Sequence, residues 1–264
     1  MTALTIAGFD PSSGAGITAD LQVFAAHDVF GTSAITALTV QSTRGVFRTA
    51  PVEAAILRET LQALDDDLPP DGIKIGMLGG ADAVREVIRY LRSIPARRIV
   101  LDPVIRSSSG APLLDQEGLD LLRLELVPLV TVITPNVAEL ELLTGSICPD
   151  SESQQNAAEA FAAKCGCAMV ITGGELTPPI DRVYADGQWT LLAGEHILSN
   201  ATHGTGCAFS SAMLCGLIRG ESIPAAASAA KAYVAKAILT ARPRGHGKGP
   251  MNLLWPIAGH SRGV

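Results

Sequence analysis

Short apolar runs and helically spaced apolar residues alternate along almost the whole chain. Residues 4–7, apolar but for Thr5 and closed by Gly8 and Asp10-Pro11, read as a buried strand. After the small-residue turn 12–16, Ile17, Leu21, Phe24 and Ala25 keep helical spacing, which predicts a helix over 17–27. Residues 33–41 are β-branched and apolar and predict the next strand, ending on Gln41. The alternation then predicts helices over 51–64, 81–91, 119–126 and 151–164, with a further helix from Asn136, and strands over 73–77, 98–101, 131–134 and 168–172. Segments 182–184 and 188–192, joined by Asp186-Gly187, read as a hairpin. Apolar residues 209–217 and the Ala-rich stretch 225–240 predict two closing helices. No linker or shift in composition interrupts the series. The expectation is one domain over residues 1–264, a three-layer α/β/α fold on a mostly parallel sheet.

Composition narrows the class. Hydrophobic residues make up 47% of the 264 and aromatics only 4%, so the core is expected to be aliphatic. A net charge of −6 argues against a general binder of nucleic acid or anionic membrane. No apolar run approaches the ~18 residues of a membrane span, and no basic region precedes Asp10-Pro11 as in a signal peptide. Five cysteines form neither an even framework nor metal-spaced pairs; reduced thiols in the cytoplasm are the expectation.

Candidate chemistry centres on Thr202-His203-Gly204-Thr205-Gly206-Cys207-Ala208. A Gly-Thr-Gly turn feeding a helix presents free backbone N–H groups and the positive end of the helix dipole, an anion site. Cys207 falls in the first turn, where the same field is expected to lower its pKa. In a parallel sheet, loops at strand ends bring Asp10, Gln41, Met77, Asp102, Asn136 and Thr172 to one edge, where such sheets bind ligands. Gln41, with its paired donor and acceptor, suits a planar heterocycle, or simply caps a loop. Asn136 and Glu139, three apart at a helix start, fit either a metal–phosphate unit or a capping box. The order of glycines after the first strand lacks the G-x-G-x-x-G fingerprint, which disfavours a dehydrogenase. His203 and His246 lack metal-ligand spacing and read as loop residues.

Several separated motifs then agree. Ala7-Gly8-Phe9-Asp10-Pro11-Ser12-Ser13-Gly14-Ala15-Gly16-Ile17 with Ala19-Asp20-Leu21, Ile35-Thr36-Ala37-Leu38-Thr39-Val40-Gln41, Lys74-Ile75-Gly76-Met77-Leu78, Leu101-Asp102-Pro103-Val104, Thr134-Pro135-Asn136 with Glu139, His203-Gly204-Thr205-Gly206-Cys207 and Gly245-His246-Gly247 with Gly249-Pro250 resemble the hydroxymethylpyrimidine and phosphomethylpyrimidine kinases of thiamine biosynthesis, within the ribokinase-like superfamily. The resemblance implies a kinase that uses ATP and Mg²⁺ to phosphorylate an aminopyrimidine alcohol and then its monophosphate. It implies pyrimidine contacts from Gln41, Gly8, Asp20, Met77 and Val104, and an anion hole of Gly204, Thr205 and Gly206 with Cys207 as base. It also implies a nucleotide turn at Thr172, Gly173 and Gly174, Mg²⁺ managed by Asp102, Asn136 and Glu139 largely through water, and a homodimer. The chain departs from the family pattern at Thr172 and Ser108, where lysines are usual, at Ala201, where Asn is usual, and at Phe9, where Ser is usual. The lost cations are expected to weaken triphosphate binding. A pyridoxal kinase and a pyrimidine-binding protein without transfer activity are the alternatives.

Overall fold

The structure is a computed structural model and describes residues 1–95, 97–107, 110–174 and 178–257. Strand β1 (Thr2–Phe9) is buried from Ala3 to Gly8, as a strand covered on both faces must be. Helix α1 (Gly16–Ala26) follows, then β2 (Phe30–Ser42), parallel to β1. Strand β3 (Gly45–Pro51) returns antiparallel along the sheet edge. The hydrophobic alternation does not predict it: an edge strand is half-solvated, and Phe47 and Arg48 both face water.

Helix α2 (Ala54–Asp67) includes Asp65-Asp66-Asp67, which the sequence reading ended the helix before. Carboxylates oppose the dipole at a helix C-terminus. Here Asp65 is held by the Tyr90 hydroxyl at 3.2 Å and by Arg97 at 3.5 Å. Then come β4 (Gly72–Ile75), α3 (Ala81–Ser93) and β5 (Arg98–Leu101). The expected helix over 119–126 is instead α4 (Gln116–Leu121), capped by Asp115, passing into a π-helical turn at Leu122–Leu126. Strand β6 (Val132–Ile133), α5 (Val137–Thr144), α6 (Ser151–Cys165) and β7 (Ala168–Ile171) complete the parallel part. The hairpin β8 (Ile180–Ala185) and β9 (Gln188–Ala193) turns through Asp186 and Gly187, both at positive φ as a two-residue hairpin demands. Helices α7 (Thr205–Ile218) and α8 (Ile223–Leu239) close the fold.

Among the described residues the nine strands run in the order β3-β2-β1-β4-β5-β6-β7-β8-β9. Side-chain alternation splits the core in two. Leu4 and Ile6 pack with α2 to α6 on one face, while Ala3 packs with α1, α7 and α8 on the other. The expected three-layer α/β/α arrangement is what the chain forms. Chain order reverses at β1, whose neighbours are β2 and β4, so the loops leaving β1 and β4 diverge around a crevice.

Candidate active site

Two loops meet at that crevice because their glycines allow it. Gly204, the N-cap of α7, has φ +80°, and a Cβ there would lie 1.9 Å from the Gly14 carbonyl oxygen. The loop after β1 and the loop before α7 are therefore back to back. No side chain caps α7 and no acidic residue occupies its first turn, so the N–H groups of Thr205, Gly206 and Cys207 remain an anion cradle.

Cys207 is half-buried, whereas the other four cysteines are buried, and all five are free thiols. The Gly16 backbone N–H and the Asp102 carboxyl group both act on its sulfur. Burial pushes the thiol up to about 12, with Asp102 and Asp20 adding to the rise against Lys74 and the Gly16 N–H. This corrects the expectation of a lowered pKa. A helix N-terminus contributes a fraction of a charge, and desolvation beside two carboxylates outweighs it. Asp102 is likewise raised by burial, opposed by Lys74 and by its bonds from Cys207 and Ser210.

Beneath the thiol lies a buried ion pair. Lys74 on β4 reaches Asp20 on α1, with Nζ 2.9 and 3.1 Å from the two carboxylate oxygens, and both side chains have 0% exposure. Thr5 and Ser211 donate the remaining bonds to Asp20, at 2.6 and 2.8 Å. Burial works to discharge Lys74, but Asp20, then Cys207 and Asp102, reverse the balance and raise its pKa, so it stays charged. Asp20, expected on the pocket wall, is instead enclosed under it and saturated with partners. Lys74 is a fixed cation below the cradle; the sequence shows it as a lysine between two isoleucines and as the first residue of the Lys74-Ile75-Gly76-Met77-Leu78 motif, and neither signal assigns it a role.

The opposite wall is built from strand ends. A Cβ on Gly8 would stand 3.0 Å from Met77 Sδ, so the missing side chain admits the thioether. The β1–β2 register shifts between Ala7 and Phe9, and the β2–β3 register between Val40 and Gln41; such bulges re-aim side chains. Val104, partly exposed, follows Asp102 at the end of β5. The Gln41 amide lies 3.0 Å from His203 Nε2, and that nitrogen is 2.8 Å from Asp10 Oδ2. His203, read as a plain loop residue, thus ties the Gln41 wall to the cradle. The tail closes the same corner: His203 pairs with Pro250, and the N–H groups of His246 and Gly247 donate to Thr43 Oγ1.

Farther along the edge, Asn136 bridges Thr172, and the Gly173 N–H donates to Asp181 at 2.8 Å. A Cβ on Gly173 would meet the Ile180 carbonyl oxygen at 2.0 Å, while Gly174 is open to solvent. Asn136 and Glu139 form the capping box, each accepting from the other's backbone N–H at 2.9 and 3.0 Å. Among the described residues no cluster of three His, Cys, Asp or Glu side chains could enclose a metal. Oxygen donors spread along an edge suit Mg²⁺, which keeps its waters and leans on substrate phosphates, rather than a protein cage. Ser108 lies outside the described residues.

A mostly parallel α/β/α sandwich with an uncapped helix N-terminus at its switch point is the architecture of the ribokinase-like small-molecule kinases. Its relatives agree. The family described as phosphomethylpyrimidine kinase matches residues 10–252. The hydroxymethylpyrimidine/phosphomethylpyrimidine kinase of Haemophilus influenzae is 40% identical over 257 residues, covering 94% of this chain and 95% of that one. The crystal structure of phosphomethylpyrimidine kinase from Clostridium difficile superposes with a TM-score of 0.80 at 33% identity, covering 90% of this chain and 99% of that one. The pyridoxal kinase from Staphylococcus aureus in complex with AMP-PCP gives a TM-score of 0.87 at 29% identity, covering 99% and 94%. This chain belongs to the phosphomethylpyrimidine kinase family.

Proposed function

We propose that this kinase, acting as one domain over residues 1–264, transfers the γ-phosphoryl group of ATP to the hydroxymethyl group of 4-amino-5-hydroxymethyl-2-methylpyrimidine, and then to its monophosphate, in thiamine diphosphate biosynthesis. The observation that carries this is the Gln41–His203 contact, which sets a heterocycle-reading amide one residue from the Gly204 cradle. Gln41 reads the ring edge, Met77 packs on the ring, and Gly8 and Val104 leave room for it. Asp20 acts from below by holding Lys74. As the substrate oxygen attacks the γ-phosphorus, the bond to the β,γ-bridging oxygen breaks and ADP leaves. The Cys207 sulfur takes the substrate hydroxyl proton as the thiol passes its own to the neighbouring Asp102 carboxylate, and the N–H groups of Gly204 to Cys207 stabilise the charge on the transferring group. Thr172, Gly173 and Gly174 border the nucleotide. Mg²⁺, held through water by Asp102, Asn136 and Glu139, would neutralise phosphate charge.

ADP release with this pyrimidine is the test; a folded sample without turnover defeats the reading. Gln41→Ala is expected to raise KM for the pyrimidine roughly tenfold to a hundredfold, with KM for ATP unchanged. The likeness to pyridoxal kinase keeps one second reading, so pyridoxal is assayed alongside. Greater turnover of pyridoxal, unaffected by Gln41→Ala, would favour it.

Leu38, Val40 and Phe47 on the edge hairpin are 50%, 57% and 67% exposed. That apolar patch supports a homodimer through β2 and β3. Light scattering is expected to give twice the chain mass of 27.4 kDa, and the chain mass itself for Val40→Asp. The free thiols, with no helix of the described residues long and apolar enough to cross a membrane, support a cytoplasmic location.

A further inference from the structure

We propose that His203 and Asp10, with Thr39 at the other end, lock the Gln41 amide in one orientation and so make the enzyme prefer a 4-aminopyrimidine to a 4-oxopyrimidine. The proposal rests on the reading that Gln41 faces the substrate ring.

Proton counting fixes the lock. Asp10 is 3% exposed, and its carboxylate accepts from the Ser12 N–H at 2.8 Å, the Ser12 hydroxyl at 2.7 Å and the Ala15 N–H at 2.9 Å. Burial opposes its charge, but the bonds from His203 and Ser12 prevail and hold the carboxyl below its usual range. An ionised carboxylate accepts only, so His203 Nε2, 2.8 Å away, carries a proton. The structure sets Gln41 Nε2 3.0 Å from that same nitrogen, donor against donor; turned over, the amide brings its oxygen there to share the His203 Nε2 proton with Asp10.

The far end gives the same answer independently. Thr39 Oγ1 has one proton, and the Phe9 carbonyl oxygen, which can only accept, lies 2.9 Å away. The structure sets Gln41 Oε1 3.2 Å from the hydroxyl, where that proton is already engaged; the turned amide brings its nitrogen there instead, and the hydroxyl accepts from it. An amide with its nitrogen toward His203 opposes two donors at one end and leaves two acceptors facing at the other. The turned amide satisfies both neighbours.

Once locked, Gln41 keeps one oxygen lone pair and one N–H, side by side, for a ligand. That edge matches the exocyclic amine and adjacent ring nitrogen of a 4-aminopyrimidine. A 4-oxopyrimidine presents C=O and N–H in the reverse order. The ring cannot turn over to compensate, because its hydroxymethyl group must reach the Gly204 cradle. A free amide would rotate to suit either ring.

Two experiments test this. In the free protein, two-dimensional ¹H–¹⁵N NMR of the imidazole is expected to show His203 protonated at Nε2; a neutral ring with its proton on Nδ1 overturns the lock. The second compares kcat/KM for 5-hydroxymethyl-2-methylpyrimidines bearing 4-amino or 4-oxo groups. Wild type is expected to favour the amino compound about a hundredfold or more. Thr39→Val, a β-branched isostere, and His203→Leu are each expected to cut that preference about tenfold or more. His203→Gln, whose amide N–H can still reach Asp10, is expected to restore most of it. A preference unchanged in Thr39→Val overturns the proposal even if His203→Leu fails to fold. Should wild type phosphorylate neither pyrimidine, the functional reading falls, and the tautomer measurement still decides the lock.

Discussion

Replacing Lys74 by methionine is expected to destabilise the protein by about 3–5 kcal/mol, because it strands a buried carboxylate without its counter-ion. Asp20 would keep its bonds from Thr5 and Ser211 but face no cation at 0% exposure. For a chain of this size the loss corresponds to a fall in Tm of roughly 6–15 °C. Thermal unfolding checks it. The double variant Lys74→Met with Asp20→Asn is expected to recover part of the loss, since a neutral amide is far less costly to bury than a lone charge. A single variant within 1 °C of wild type would show that the pair contributes nothing. The pair also joins β4 to α1 directly beneath the thiol, so the double variant is expected to fold better than it works.

Cys207→Ala is expected to slow single-turnover phosphoryl transfer by about 10²–10⁴, the usual worth of a positioned base, with nucleotide binding intact. A variant keeping more than a tenth of the wild-type rate would place the base elsewhere. The free enzyme adds a measurable signature. With the thiol at about 12 against an ordinary 9.0, iodoacetamide at pH 8 should alkylate Cys207 roughly a thousandfold more slowly than an unperturbed cysteine, each unit of pKa removing a factor of ten in thiolate. The rate should climb tenfold per pH unit beyond pH 10. A plateau below pH 8 would mean that the helix field wins over burial after all.

The contrast between those two residues shows what the chain reveals in advance. The strands that carry the site were legible because a strand covered on both faces reads as a near-continuous apolar run, as residues 3–8 do with Thr5 the one polar member. The cradle was legible because glycines before a helix have a local cause. The Cys207 pKa was not, since sequence gives its place in a helix but not the desolvation or the carboxylates of Asp20 and Asp102 around it. His203 was passed over because spacing to other ligands was the wrong question: its partner Asp10 lies 193 positions away. Asp20 was placed in the right neighbourhood and at the wrong depth. Strand β3 was missed because an edge strand carries no apolar run, and Asn136 with Glu139 took the capping box that the sequence had left open.

The clasp of the tail on Thr43 has a bearing on biosynthesis. His246 and Gly247 meet Thr43 across 203 and 204 positions, and His203 meets Gln41 across 162. The ribosome therefore delivers the substrate wall well before its fastening. Until His246 and Gly247 have left the exit tunnel, β1, β2 and α1 must wait with an unfinished corner, so competence arrives in a single step instead of growing with chain length.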